Sequence, residues 1–551
     1  MKRFRPAAAR SVRDFSRAAL KMSATASQNL SQQERSSARK WLVALAVMLG
    51  ATLEVLDTTI VNVALPYMQG SFAASRDEIT WVLTSYLVSN GIMIPMTGWI
   101  SSRFGRKRYF LISVAVFVLA SGLCGAAQSL GEMVVFRLLQ GAAGAAMIPS
   151  SQAILMETFP PAEHGMAMAV WGVGLMVAPI MGPTLGGWIT VNWSWRWNFY
   201  VNLPTGLLAA LMAYLFVEDP PYLRRQASRL QTDYFGIIFL VLWLGLLQIV
   251  LDRGQRSDWF DASWVCWFAV ISGAAMVLLI IQELRFPNPI LDLRIMAVPV
   301  FAVAVALAVA LYISLFGINL LNPLYTQELM GYDAWAAGRT VAPRGITAMM
   351  GLLITAQLSR RGFDTRPLLG IGFLCITLAT WRMSQWNLDL SMGAMLGAIL
   401  LYGFGSGMLF PVLSATSLSC VPRERMGYAA SLYNMVRNTG AAVGVSMVSN
   451  LLQSLEQVHQ SYLVAHVSAI DAWRLTHQGF YAPGSPLFDI TRQLTTGQKQ
   501  ALGLVYNTVQ TQASLLAYTD IYRLLAAMTL VCIPGFLILK RTVGMTGPGA
   551  H

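Results

Sequence analysis

Two carboxylates three residues apart, Glu54 and Asp57, lie inside an apolar stretch, TLEVLDTTIVNVALP (Thr52–Pro66), that is otherwise suited to lipid. On a helix that spacing turns both acids to one side. An acidic side chain at bilayer depth costs about 2.5–3.5 kcal/mol on insertion scales, so it rarely persists without a use. Two carboxylates close together in a poorly hydrated place cannot both ionise without cost, so such a pair takes up and gives back a proton readily. A group that loads from one side of a membrane and unloads to the other is what a proton-coupled carrier needs. The alternative is that both acids pair with an arginine of a neighbouring helix and only fix packing.

A cation stands ready in the fourth apolar run, FRLLQGAAGAAMIP. Arg137, Gln140, Gly141 and Gly144 fall at i, i+3, i+4 and i+7, so a cation, an amide and two bare backbone patches share one helix face. An intramembrane arginine needs an anionic or carbonyl partner, and the first run offers Asp57 and Glu54. Such an ion pair either tunes proton transfer or is purely structural. The fifth run places Gly174, Ala178, Gly182 and Gly186 four apart, a strip along which another helix can approach closely. Pro179 and Pro183 each remove a backbone donor and bend the helix, which suits a rocking or gating interface. Tight packing without motion would leave two prolines one turn apart unexplained. Two further cations, Arg344 and Arg437, sit in later apolar runs with no acid beside them in sequence. They would bind an anionic substrate or contact carbonyls at helix kinks. Thr58, Asn62, Gln140, Tyr433 and Asn434 supply small, amide and hydroxyl groups for a substrate cavity.

The elements that must carry these residues follow from composition. The chain has 551 residues, 55% of them hydrophobic and only 12% charged; a soluble globular protein carries about 25% charge. Repeated apolar runs of roughly 20 residues predict an all-α polytopic membrane protein. Fourteen segments are predicted, from 41–66 through 132–157, 336–358 and 428–450 to 518–540. An even number puts both termini on one side. The net charge of +13 sits mainly in residues 1–40, with ten Lys or Arg against Asp14 and Glu34, and in short loops assigned to the same side. That is the positive-inside pattern of a cytoplasmic face and argues against a nucleic-acid partner. The N-terminal stretch resembles a transit peptide in composition, but it leads directly into the first segment and reads as a cytoplasmic tail, with Met22 an alternative start.

Two short matches relate the halves of the chain. TGWISSRFGRKR (97–108) aligns with TAQLSRRGFDTR (355–366), and FPPAEHGMA (159–167) with VPRERMGYA (421–429). The expected organisation is a basic tail (1–40), six helices (41–217), two inserted helices (218–298), six more (299–541) and a short tail (542–551). Two related bundles facing one another across a midplane cavity form a carrier architecture. Five histidines (His164, His459, His466, His477, His551) lie outside the apolar runs, and five cysteines show no metal-ligand spacing. A membrane-embedded enzyme would need a clustered constellation, so that class is disfavoured, and no metal or cofactor is expected.

These motifs together resemble the major facilitator superfamily, and within it the fourteen-helix drug:proton antiporters, over about residues 41–541. Leu56–Pro66 is similar to that subfamily's first-helix signature. Gly98, Arg103, Gly105, Arg106, Lys107 and Arg108 match the superfamily's loop motif between helices two and three, with Ser102 where an Asp is usual. Arg137, Gln140, Gly141 and Gly144 are similar to the fourth-helix motif linked to proton transfer. Gly182, Pro183, Gly186 and Gly187 match the antiporter motif of helix five. WRWNFYVNLPTG (195–206) and LDRGQRSDWF (251–260) resemble the EmrB-type permeases of Gram-negative bacteria. The resemblance implies a bacterial inner-membrane exporter of amphipathic drugs or toxic compounds, coupled to H+, in which Glu54, Asp57 and Arg137 handle the proton. It also implies a periplasmic adaptor and an outer-membrane channel as partners. A siderophore, lipid or metabolite exporter of the same fold is the alternative, and a proton symporter a more distant one. The segment 451–519, between the last two predicted helices, is long for this chain and is the expected adaptor site. Thr496–Thr519 favours helix and runs without a breaker into the last segment, so a partly amphipathic stalk offering Leu502, Val505 and Val509 is predicted.

Overall fold

The computed structural model describes residues 8–160, 163–219, 232–254, 257, 259–287, 289–332, 334–361, 363–466 and 498–535. The predicted segments each overlap helices among the described residues. In order these are α1 (Ala8–Phe72), α2 (Trp81–Phe104), α3 (Arg106–Ala126), α4 (Leu130–Gly144) continued by α5 (Met147–Thr158), α6 (His164–Asn192) and α7 (Asn202–Phe216). The inserted pair is α8 (Tyr234–Arg253) and α9 (Ser263–Arg285). Then come α10 (Pro299–Leu324), α11 (Ala334–Val341) continued by α12 (Pro343–Arg360), α13 (Thr365–Met383), α14 (Met392–Ser419), α15 (Met426–His466) and α16 (Gln498–Cys532). Among the described residues, ten spans are long and apolar enough to cross a membrane on length and composition alone. Helix is what lipid demands, because each backbone N–H and C=O must find its partner within its own segment.

Two predicted segments are broken where proline removes a donor. Pro149 cannot donate to Ala145, and the chain tightens there, with the Ala146 N–H reaching the Ala143 carbonyl at 3.4 Å. Pro343 opens α12 and leaves α11 as a separate piece of helix ten. Other boundaries move outward. The basic stretch expected as a tail is helical from Ala8, continuous with the first span. Helix α15 runs 41 residues and α16 runs 35, roughly 60 and 50 Å at 1.5 Å per residue against a hydrocarbon core of about 30 Å. Much of the segment 451–519 is therefore helix rather than loop, and the last apolar span is Tyr506–Cys532, earlier than the predicted 518–540. The middle of that segment, 467–497, and the side chains of Leu502 and Val505 lie outside the described residues.

The first and second sets of six helices meet along several seams. Gly98 of α2 lies against Gly427, Tyr428 and Ser431 of α15 so closely that a Cβ would sit 2.7 Å from the Tyr428 Cα. The Trp171 ring on α6 stacks on Phe410 of α14 at 6.0 Å, and Gly165 lies beside Ser359 of α12. These contacts fall at the end of the bundle that carries the 102–108 turn. At the opposite end of α6, Trp193 packs edge to face on Trp197 and at a tilt on Trp188, and all three remain exposed, as an interfacial aromatic belt does.

Candidate functional site

Asp57 is fully buried on α1, and three side chains from two other helices converge on its carboxylate. The Arg137 Nη1 donates to Oδ2 at 2.6 Å; on the other oxygen, Gln140 Nε2 donates at 2.9 Å and Asn202 Nδ2 at 2.7 Å. The i,i+3 spacing on α4 puts the cation and the amide side by side, and Arg137 also donates to the Gln140 Oε1 at 2.9 Å. Its Nε donates to the Val82 carbonyl of α2 at 3.0 Å, and its guanidinium lies 4.3 Å from the Tyr86 ring centre. Asn202, at the start of α7, is itself held by the Ser121 hydroxyl of α3 at 3.1 Å. A buried carboxylate is tolerable when it is paired and hydrogen-bonded, and this one is both.

Glu54 is nearly buried, at 6% exposed, but it is not part of that cluster. Its Oε1 accepts from Asn90 Nδ2 at 3.0 Å, while Oε2 has no hydrogen-bond partner. Asn90 in turn accepts from Asn438 of α15 at 3.4 Å, and Arg437, the next residue, is near enough to act on Glu54 electrostatically. The two carboxylates are thus held by different partners, although the Asp57 charge still acts on Glu54. Helical spacing put both acids on one side, but Arg137 approaches only Asp57, and Glu54 turns toward the second half of the chain.

The loop motif is built around Gly105, whose φ of +91° favours glycine. Asp219 accepts from the Lys107 backbone N–H at 2.7 Å there and would collide with any side chain at 105. Arg106 is fully buried and paired with Glu157 of α5. Ser102, in the position where an acid is usual, donates to the Gly98 carbonyl at 2.8 Å. Arg103 lies at the end of α2 on the same turn.

In the helix-five motif, a Cβ on Gly182 would strike the Thr59 hydroxyl, and one on Gly186 would come within 3.2 Å of Ile60. Gly187 is only partly covered, and the Pro183 side chain lies outside the described residues. The same close approach recurs in the second half, where Gly440 and Gly444 of α15 lie against Val309 and Ile313 of α10. The Gly440–Gly444 spacing was present in the sequence as a GxxxG and was not singled out.

The residues expected to line a cavity fall on four helices, α1, α4, α12 and α15. Thr58 donates to the Val55 carbonyl at 2.8 Å and Asn62 to the Thr58 carbonyl at 3.0 Å, so both spend their donors on their own helix. Tyr433 is buried and shares a hydrogen bond with Ser414 at 3.3 Å. Asn434 donates to Gln152 of α5 at 2.5 Å, binding one half to the other. Arg437 lies 5.2 Å from the Tyr312 ring centre, and Arg344 donates to Asn319. Sequence reasoning missed Asn90, Gln152, Asn202 and Asn438. Each is an amide in or beside an apolar run, which is the signal that was available.

A helical membrane protein with a buried ion pair between its first and fourth spans is a carrier in form, and comparison with known proteins bears on which kind. The chain matches the Major Facilitator Superfamily over residues 47–445. It is 34% identical over 443 residues to the multidrug export protein EmrB of Haemophilus influenzae, covering 80% of this chain and 85% of that one. It is 32% identical over 529 residues to the fatty acid resistance protein FarB of Neisseria gonorrhoeae, covering 94% and 99%. Among solved structures, the human organic anion transporter MFSD10 superposes with a TM-score of 0.60 over 91% of this chain and 99% of its own, at 14% identity, a likeness of fold alone. The chain belongs to the major facilitator superfamily, a family of transporters, and within it to the EmrB-type multidrug export proteins.

Proposed function

We propose that this protein exports amphipathic drugs or toxic compounds across the bacterial inner membrane in exchange for protons, by alternating access. The observation that carries the reading is the Asp57 carboxylate, buried within the first apolar span and ion-paired with Arg137 at 2.6 Å. Protonation of Asp57 removes one charge of the pair and weakens both amide bonds, while Arg137 keeps its charge. The loaded and unloaded states therefore differ in how firmly α1, α4 and α7 are tied together, and a proton arriving from the periplasm would bias the carrier between its two facings. Similarity to the multidrug export protein EmrB supports drug efflux, and the glycine strip of α6 against α1 suits the motion that efflux needs. With both termini cytoplasmic, the seam at Gly98 and Tyr428 closes the cytoplasmic side, which is the outward-facing state. The helical extensions of α15 and α16 would then stand in the periplasm as the docking stalk for an adaptor and, through it, an outer-membrane channel. Export of a lipid or other metabolite by the same fold is the second reading, favoured by similarity to FarB.

Asp57→Asn tests the core of this. The amide keeps the side chain's volume but cannot titrate, so export driven by a pH gradient in proteoliposomes should vanish while the protein remains inserted. Glu54→Gln should weaken export or shift its pH dependence. Wild-type export by the Asp57→Asn protein would take Asp57 off the proton path.

A further inference from the structure

The second half of the chain holds a cation that the proton-linked reading does not use. Arg344 lies in the first turn of α12, just after the break at Ala342 and Pro343. Its Nη2 donates to Asn319 of α10, and its Nη1 is shielded from solvent with no hydrogen-bond partner. Among the described residues no carboxylate is paired with it, and the titratable group that acts on it is the Tyr402 phenol of α14. Tyr402 is buried and shares a hydrogen bond with Ser314 at 3.1 Å, and Gly403 beside it packs against the Arg344 backbone. No acidic residue lies in that first helical turn, so the positive end of the α12 dipole adds to the guanidinium charge. A broken span whose helix N-terminus faces an anion recurs in carriers of this class of architecture.

Arg344 is itself partly covered, and among the described residues the three buried arginines are answered by acids. Arg137 has Asp57, and Arg106 has Glu157; Arg437 has Glu54 within electrostatic range. Arg344 alone of these four has only neutral company. A planar guanidinium with an unmatched N–H in an apolar bundle is shaped to take an oxo-acid group, which accepts from it in charge-assisted hydrogen bonds. We infer that Arg344, with Asn319 and Tyr402 beside it, forms a subsite for the single anionic head group of an amphiphile, a carboxylate or a phosphate. This rests on the export reading only for what happens to the amphiphile next. Binding itself is independent of it.

The test uses full-length protein in phosphatidylcholine vesicles, with a pyrene-labelled long-chain carboxylate and tetraphenylphosphonium as anionic and cationic probes. Equilibrium binding is measured for the wild type, Arg344→Gln and Arg344→Lys. The expected result is that Arg344→Gln weakens the carboxylate probe by about tenfold or more and the cation by less than about twofold, with Arg344→Lys between. Equal loss of both probes, or no loss of the carboxylate, would overturn the subsite; retention by Arg344→Lys separates charge from misfolding. Adding phosphatidylglycerol identifies the source of the head group. Competition with the carboxylate in the wild type but not in Arg344→Gln means the site holds a bilayer lipid, and absence of competition means it holds an exported solute; either result follows from an anion subsite. Should the wild type bind the carboxylate through Arg344 yet export neither probe under a pH gradient, the proton-linked reading fails and the subsite stands.

Discussion

The two halves of the chain bury their charges in opposite ways. In the first half, Asp57 is surrounded by Arg137, Gln140 and Asn202, so every strong donor near it is used. In the second, Arg344 has one amide oxygen and a phenol for company. A saturated pair is a stable internal state that a proton can undo. An unsaturated cation is instead a standing demand for an anion from outside. Between them sits Glu54, which belongs to the first half by sequence and is linked to the second through Asn90 and Asn438. The small-residue strips differ less, since α6 against α1 and α15 against α10 both rely on glycines spaced four apart. Packing has been kept alike in the two halves while their electrostatics have diverged.

Removing one cation from each half should break this comparison most visibly. Arg137→Leu strands Asp57 as a buried, unpaired carboxylate, a change that costs on the order of 3–5 kcal/mol. Arg344→Leu strands no acid, so its stability should be near or above wild type. Thermal midpoints in detergent for the two variants are the measurement. A large loss for Arg344→Leu would mean that its neighbours compensate the charge after all, and the contrast between halves would collapse.

The part of this contrast that the sequence revealed was the part written in charges. Glu54, Asp57 and Arg137 stand out because each is expensive in lipid, and helical spacing places Gln140 beside Arg137. Which acid the arginine would choose was not legible, because both lie on the same side of α1 and the choice depends on where α4 crosses it. Asn202, Asn90 and Asn438 were passed over because a neutral amide costs little to insert and its spacing does not name its partner. The breaks in helices four and ten fell inside segments whose overall hydropathy reads as one span each, although Pro149 and Pro343 marked them. The helical extension before the last span was legible, since Gln498–Cys532 lacks Pro and the composition favours helix. That of α15 past 450 was not, because hydropathy falls there while helix formation continues.

The glycine strips give the next largest effect. Gly182→Leu adds a branched side chain where even a Cβ would meet the Thr59 hydroxyl, and overpacking of this kind costs typically about 1–3 kcal/mol. Transport should stall, with substrate binding reduced less. Gly444→Leu, where a Cβ would lie 2.7 Å from the Ile313 Cα, should stall it equally if the two halves move as a pair. Wild-type turnover by either variant in proteoliposomes would show that this contact is not used in switching.

Asn202→Ala sharpens the first-half site. It deletes a hydrogen bond of 2.7 Å to a charged group, worth roughly 1.5–3 kcal/mol, and leaves Arg137 and Gln140 in place. With fewer donors on the carboxylate, the tie between α1 and α7 is weakened, so the pH profile of export should change while the maximal rate changes less. An unshifted profile with a uniformly lower rate would reduce Asn202 to packing.

The smallest expected effect lies at the end of the bundle away from the 102–108 turn, where α15 and α16 run side by side. Glu456 on α15 is partly covered, and burial raises its carboxyl above the ordinary value, partly offset by a hydrogen bond with Ser514 of α16, while Glu328 adds repulsion. Tyr518 of α16 shares the same pair of carboxylates, and one turn along His459 and Arg523 both contact Asp520, at 2.9 and 3.3 Å. A carboxyl raised in the folded state contributes stability that is full below its unfolded value and is lost as pH rises through the folded one. The two extensions should therefore hold together more firmly at mildly acidic pH than at neutral pH. Glu456→Gln should remove that dependence, since the amide still bonds Ser514 without the charge. Hydrogen exchange at residues 452–466 and 506–520, followed from acidic to neutral pH in the wild type and the variant, checks this directly. Identical pH dependence in both proteins would clear Glu456 of any part in it.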